Sequence, residues 1–393
     1  MATTPSMPAE ERLSLIRENL AEFLNPEIIE DIIKEGGNPK VYWGSATTGR
    51  PHAGYMVPAI KIAQLLAAGC EMTVLLADIH GFLDNLKAPL ELVNHRAEYY
   101  RFAITALLKA MGVPTDRLRF VLGSSYQKSS EYVMDLYKMC SLISEHDAKR
   151  AGAEIVKQSS NAPLSGLLYP ALQVLDEQYL GVDAQFGGLD QRKLFVAATE
   201  WLPKIGYKKR AHLVNPMVAG LNGAKMSSSD ENSKIDLLDA PDVVVKKVRK
   251  AECVPKVIEN NGVLALVEYV LLPASGLRTG KREFRVDRER DGLEPLVYTE
   301  IKQMHSDFEN DILTPQLLKP AVARGLNEIM EPIQAEFQGS QEWQGITVKA
   351  YPPPVKEEKK KKQKKDKGSK FPGKDKEGDG EEPLTTETEL PVR

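Results

Sequence analysis

Cysteine is scarce in this chain: Cys70, Cys140 and Cys253 stand far apart, with no C-x-x-C pair and no histidine cluster beside them. That spacing offers neither a disulfide framework nor a zinc signature, so three buried thiols in a reducing compartment and no protein-ligated metal are expected. Also missing is an uninterrupted apolar run near the ~18 to 20 residues that cross a bilayer. The first twelve residues carry acids and prolines rather than a basic segment followed by an apolar one. Neither a membrane span nor a leader peptide is expected, which leaves the cytosol. Charge of one sign is not in large excess either. With 52 basic and 55 acidic residues the formal net charge is −3, so any nucleic-acid site must be a local patch. No internal repeat divides the chain.

What is present follows an α/β rhythm. Leu13, Ile16, Leu20, Phe23 and Leu24, then Ile28, Ile29, Ile32 and Ile33, recur at helical spacing, broken at Pro26 and closed by Gly36-Gly37, which predicts two leading helices. Val41-Tyr42-Trp43 then leads through small residues 44–49 into a helical pattern at about 53–68 and an apolar run at 72–77. Strand, tight turn, helix and strand make the βαβ unit of a parallel sheet, where ligands gather at the carboxyl ends of the strands. Further helices are expected at about 90–111, 131–140, 147–158 and 166–180, with strands near 119–122 and 184–186. The rhythm fades near Asn215. After Ser229 helical patterns dominate, at about 242–251, 262–272, 298–308 and 314–337. The expected architecture is therefore an α/β, Rossmann-type parallel-sheet domain over 39–234 with N-terminal helices 1–38 packed on it, followed by a mainly helical domain over 235–348. The tail, 349–393, is rich in Lys, Glu, Asp and Gly and too poor in large apolar residues to offset its ordering entropy. Disorder is expected there, with no further folded domain.

Three segments carry chemistry. The turn Gly44-Ser45-Ala46-Thr47-Thr48-Gly49-Arg50-Pro51-His52 runs from a strand into a helix, where small residues admit phosphates and the helix terminus adds N–H donors. His52 is expected in the first helical turn, able to donate to a phosphate oxygen as charge builds on it. By itself it reads more readily as a satisfied capping or core histidine. Lys225-Met226-Ser227-Ser228-Ser229 follows a glycine-bracketed loop; a mobile lysine with several hydroxyls suits an oligophosphate, and a polar linker is the bland alternative. Tyr169, Gln173 and Asp176 fall at i, i+4 and i+7, so on a helix they line one stripe beside the apolar Leu168, Leu172, Leu175 and Tyr179. The stripe is either a solvated face or a phenol, an amide and a carboxylate offered to one space.

Pro51-His52-Ala53-Gly54-Tyr55 and Lys225-Met226-Ser227-Ser228-Ser229, in this order and about 170 residues apart, resemble the HIGH and KMSKS signatures of class I aminoacyl-tRNA synthetases. Val41-Tyr42-Trp43-Gly44, Leu75-Leu76-Ala77-Asp78-Ile79-His80, Gly166-Leu167-Leu168-Tyr169-Pro170 and Phe186-Gly187-Gly188-Leu189-Asp190-Gln191-Arg192-Lys193 are similar to the tyrosyl-tRNA synthetases of the eukaryotic cytosol, and the likeness spans roughly residues 9–348. Two positions depart from the signatures. Tyr55 replaces the last His of HIGH, and Ser228 replaces the second Lys of KMSKS, leaving Lys225 as that loop's only charged ligand for a leaving group.

The resemblance implies activation of L-tyrosine with ATP and Mg²⁺ to tyrosyl-AMP plus pyrophosphate, then transfer of tyrosyl to the terminal adenosine of tRNA(Tyr). It implies Tyr42 and Asp176 on the substrate phenol, Tyr169, Gln173 and Gln191 at its ammonium and carboxylate end, and Asp190 on the ATP ribose. Thr48, Gly49, His52, Gly54, Lys225, Met226, Ser227, Ser228 and Ser229 would surround ATP, with His52 and Lys225 catalytic through charge stabilisation. The helical domain is similar to the family's anticodon-binding domain, with Asp291 as a base contact. A homodimer, with residues 131–158 at its interface and tRNA across both subunits, is likewise implied. Lys246, Lys247, Arg249 and Lys250 read as tRNA-phosphate contacts, as an address for a minor nuclear pool, or as a solvated helix face. The basic block at 359–365 reads as a weak tRNA tether or a solubilising tail.

Three rivals stand beside this reading. A tryptophanyl enzyme shares fold and signatures, but Tyr42 with Asp176 argues for a phenol. A small-molecule nucleotidyltransferase would not need residues 225–229 followed by a large helical domain. A synthetase-derived RNA-binding protein without catalysis is opposed by His52, Asp190, Gln191 and Lys225 all standing in place.

Overall fold

The computed structural model describes residues 7–84, 90–114, 118–155, 163–218, 220–221, 234–289 and 292–353. The signature at 225–229, Asp291 and the tail beyond 353 lie outside the described residues. Up to Pro352 the chain is a single unit.

Its centre is a six-stranded sheet of β1 (Glu22–Leu24), β2 (Lys40–Ala46), β3 (Glu71–Ala77), β4 (Leu118–Leu122), β5 (Ala184–Gly188) and β6 (Ala211–Asn215), in the order β1-β6-β5-β2-β3-β4. All neighbours are parallel except β1, which runs antiparallel to β6. β3 and β6 are almost wholly buried, as strands covered on both faces must be, so β3 is largely apolar while β6 buries His212 and Asn215 beside Leu213 and Val214. The chain leaves β2 toward β3 and β4 on one side and returns to β5 and β6 on the other. The order therefore reverses between β2 and β5, and a crevice opens at their carboxyl ends.

Apolar side chains sort by strand alternation onto the two faces. Val41, Trp43 and Phe186 join the larger cluster, which also holds helices Met56–Ala67 and Leu90–Ala110 and continues into the helical residues between Val244 and Ala350. The second cluster packs helices Ser130–Leu142, Ser165–Tyr179 and Arg192–Lys204. Beyond residue 234 come the helices Pro241–Lys250, Ile301–Glu309, Pro315–Gly339 and Gln341–Ala350, and Pro315–Gly339 packs against the helical stretch Gly262–Thr279. That stretch has a mean hydropathy of 1.2 over 18 residues, but Val263, Leu264, Val267 and Val270 are buried in the main cluster, so it is a core helix.

Three expectations are corrected. Residues 9–34 contain a strand between their two helices, Ala9–Arg17 and Glu27–Lys34: Phe23 and Leu24 have helical spacing, yet β1 pairs with Leu213 and His212 across the open edge of β6. The helical region also contains a hairpin, β7 (Phe284–Val286) against β8 (Leu296–Tyr298), where short pairing competes with local propensity. Of the cysteines, Cys70 is buried and its thiol is pushed up to about 12 by burial, but Cys253 is half-buried and Cys140 exposed. Cys140 sits on helix Ser130–Leu142, whose Met134, Tyr137 and Leu142 are also exposed.

Candidate active site

The crevice between β2 and β5 holds a cavity of about 290 Å³. Tyr42 lies at its wall because alternation turns it to the face opposite Trp43. It is fully buried, and its hydroxyl donates to the Gln173 carbonyl at 3.4 Å. Helix Ser165–Tyr179 turns the predicted stripe inward: Tyr169, Gln173 and Asp176 all line this cavity, with Thr48, Gln185 and Gln191. The Gln173 side-chain amide donates to Gln191 Oε1 at 3.0 Å, so two side chains eighteen residues apart meet at the same rim.

Asp176 is the most elaborately held group. Its Oδ1 accepts from the Tyr126 hydroxyl at 2.7 Å, Gln127 Nε2 at 2.8 Å and the Tyr132 hydroxyl at 3.1 Å. Burial pushes the carboxyl up to about 7 even though those three donors favour the anion. Oδ2 has no hydrogen-bond partner; His80 Nε2 stands 3.7 Å away. The His80 ring meets Tyr169 edge-on at 4.7 Å, and burial pushes its imidazole down to about 4, so it is neutral at pH 7.

Gln127 is aimed by the turn before it. Asp78, buried at the end of β3, accepts the Ser124 backbone N–H at 2.8 Å. A Cβ at Gly123 would stand 2.8 Å from Gln127 Oε1 and 2.9 Å from Asp78 Oδ1, so a larger residue there would push both side chains out of place. His80, Tyr126, Gln127 and Tyr132 escape a sequence reading because they come from three separate elements. The one available signal is the polar Asp78 and His80 directly after a buried parallel strand, where ligands gather.

A second cavity, about 260 Å³, abuts the first and is lined by His52, Gly54, Asp190, Asn215, Met217 and Val218. Trp43, Tyr55 and Gly188 border both. The Tyr55 hydroxyl lies 3.0 Å from Ser45 Oγ and donates to the Tyr100 hydroxyl at 3.4 Å, which in turn donates to the Gly49 carbonyl at 2.5 Å. A Cβ at Gly188 would meet Asp190 Oδ1 at 2.7 Å, so a larger residue there would displace the Asp190 carboxylate.

His52 departs from its predicted place. It is not in the first helical turn but caps it, with extended backbone at φ −133°, ahead of the tight turn Ala53–Tyr55 and helix Met56–Ala67. Its Nδ1 accepts the Gly54 N–H at 3.1 Å. A neutral ring accepting at Nδ1 carries its proton on Nε2, the donor form that an anion requires. Cap and anion donor are thus compatible roles. Although residues 225–229 lie outside the described residues, the chain resumes against this turn: the Ala53 N–H donates to the Ile235 carbonyl at 2.8 Å, His52 bridges Asp236 antiparallel, and Arg50 pairs with Asp236 at 3.7 Å.

The family model for the tRNA synthetases class I (W and Y) matches residues 34–331. The cytoplasmic tyrosine–tRNA ligase of Saccharomyces cerevisiae is 50% identical over 378 residues, 95% of this chain and 96% of that protein. Its namesake in Danio rerio is 51% identical over 347 residues, 88% of this chain, and the match spans 64% of that longer protein. Among solved structures, tyrosyl-tRNA synthetase complexed with L-tyrosine from Archaeoglobus fulgidus superposes with a TM-score of 0.77 at 36% identity, covering 84% of this chain and 99% of that one.

The chain belongs to the tyrosyl branch of the class I tRNA synthetases. Both predicted signatures fall within the matched residues 34–331, and class I membership brings ATP with it. The predicted basic face of this synthetase is partly consumed internally. Lys246 pairs with Asp242 at 2.7 Å and the half-buried Lys247 with Asp239 at 2.7 Å, within or beside helix Pro241–Lys250. Arg249 instead lines an open groove of about 800 Å³ against helix Pro315–Gly339.

Proposed function

We propose that this chain activates L-tyrosine with ATP and transfers the tyrosyl group to the terminal adenosine of tRNA(Tyr) in the cytoplasm, the compartment its relatives are named for. The observation that carries the proposal is the junction of the two cavities: a pocket ending on the buried Asp176, opening past Tyr55 and Gly188 into a space edged by His52 and Asp190. In this reading Tyr42 and Asp176 hold the phenol end. Tyr169, Gln173 and Gln191 hold the ammonium and carboxylate end, pointing the carboxylate toward the junction. Asp190 takes the ribose hydroxyls, and Thr48, Gly49 and Gly54 admit the phosphates with their accompanying Mg²⁺.

No protein nucleophile is needed. The tyrosine carboxylate attacks the α-phosphorus in line and pyrophosphate departs, so the residues act by positioning and by stabilising charge. His52 donates from Nε2, and Lys225, with Met226, Ser227, Ser228 and Ser229, attends the leaving group. In the second step the adenosine hydroxyl attacks the adenylate carbonyl. We assign tRNA binding to the helical residues 235–348, through Arg249, Lys250, the internally paired Lys246 and Lys247, and Asp291 for a base. We assign dimerisation to the exposed Met134, Tyr137 and Leu142, an apolar helix face left uncovered among the described residues.

ATP–pyrophosphate exchange with each standard amino acid tests the central claim. Exchange with tyrosine alone is expected; dependence on tryptophan, or none at all, overturns it.

A further inference from the structure

The polar atoms around Asp176 are unevenly partnered, and the imbalance points to one more determinant of the tyrosine-activating reading above, on which this inference rests. Oδ1 accepts from three donors, whereas Oδ2 accepts from none, although Asp176 is 0% exposed. His80, 2% exposed, also has no hydrogen bond at either ring nitrogen. Both residues line the same cavity, and the 3.7 Å between Nε2 and Oδ2 is too long for a hydrogen bond but short enough for one oxygen seated beside them to touch both. Buried polar atoms without partners are rare and costly, and here two of them face each other across a ligand space.

A phenol hydroxyl supplies what each lacks: one O–H for the carboxylate and lone pairs for a ring N–H. We propose that His80 is a specificity-determining residue, its Nε2–H donating to the substrate phenol oxygen while Asp176 Oδ2 accepts the phenol proton. The Tyr42 hydroxyl, which the resemblance assigns to the phenol, is engaged with the Gln173 carbonyl, so His80 provides a donor beyond it. Ring orientation is set by Tyr169, packed edge-on at 84° in the same pocket. The neutral state of His80 matters as well. A charged ring would draw Oδ2 into an ion pair and close the place where the hydroxyl fits.

The test uses the full chain and ATP–pyrophosphate exchange with tyrosine and with phenylalanine. His80→Phe keeps a ring against Tyr169 but removes the N–H; it should lower kcat/KM for tyrosine about tenfold, chiefly through KM, and leave phenylalanine unchanged, as loss of one buried hydrogen bond predicts. His80→Gln retains an N–H donor and should recover to within about threefold of the parent. A parallel loss for both amino acids, or unchanged tyrosine kinetics, overturns the assignment. A second measurement needs no substitution: in the parent protein labelled with ¹⁵N-histidine, tyrosine should move the His80 Nε2 resonance to a hydrogen-bonded position and phenylalanine should not. Identical movement with both ligands also overturns it. Failure of the parent protein to exchange with tyrosine sinks the functional reading instead, so the two failures are distinct.

Discussion

The two cavities that meet at Tyr55 and Gly188 are alike in size, about 290 and 260 Å³, yet their polar groups sit under opposite conditions. In the first, Tyr42, Asp176, His80 and Gln185 are buried on regular elements, and several of their atoms lack a protein partner. In the second, His52 and Asp190 come from tight turns and Asn215 from the end of β6, and the central one, His52, is already engaged as a helix cap. The difference separates two tasks. A desolvated, prebuilt pocket penalises the wrong amino acid heavily, because unmet polar groups stay unmet. A turn beside a helix terminus suits charge that appears only during reaction.

That contrast can be broken by experiment, beginning on the side proposed for the nucleotide. Lys225→Ala should slow exchange by about 10²- to 10³-fold while tyrosine KM stays within about twofold, since charge stabilisation acts in the transition state. A matching rise in KM would merge the two tasks. On the other side, Asp176→Ala should cut the preference for tyrosine over phenylalanine by about 10²-fold, with phenylalanine kinetics little changed; sites of this kind reject the deoxy analogue by about 10⁴ to 10⁵, and tyrosyl-tRNA synthetases are themselves the standard example. Equal loss for both substrates would show a structural role only.

A pH profile sharpens the comparison further. The Asp176 carboxyl titrates near 7 in the folded protein, raised by burial, so its acceptor form is lost as pH falls. Tyrosine KM should therefore rise as pH drops below about 7, and Asp176→Asn should flatten the profile. The sign for folding is opposite. A carboxyl raised above its unfolded value favours the native state at low pH, and that contribution declines as pH rises from the ordinary carboxyl range to about 7, by about 1.4 kcal/mol per unit. Thermal melts of ligand-free parent and Asp176→Asn protein, compared between these limits, check it. The smallest effect belongs to Asp236→Asn. Its pair with the part-exposed Arg50 is long at 3.7 Å, so a change in exchange rate within about threefold is expected.

Much of this site is legible in the residues because it rests on short-range periodicity. Tyr169, Gln173 and Asp176 share a helix, and helical geometry alone brings them to one stripe. The small-residue turn between β2 and His52 is legible for the same reason. Less so are His80, Tyr126, Gln127 and Tyr132, which converge on Asp176 from different elements. β1 was hidden too, since a three-residue strand depends on the edge it pairs with.

The sequence by itself determined the α/β class, the small-residue turn after β2, the stripe and the family, because backbone periods, glycine positions and signature residues are properties of neighbouring positions. Only tertiary structure decided that the stripe faces inward, that Asp176 has one oxygen saturated and one without a hydrogen-bond partner, and that His80 stands beside it. Those are facts of burial and convergence. Desolvation depends on everything that packs around a group, and no stretch of chain carries that information alone.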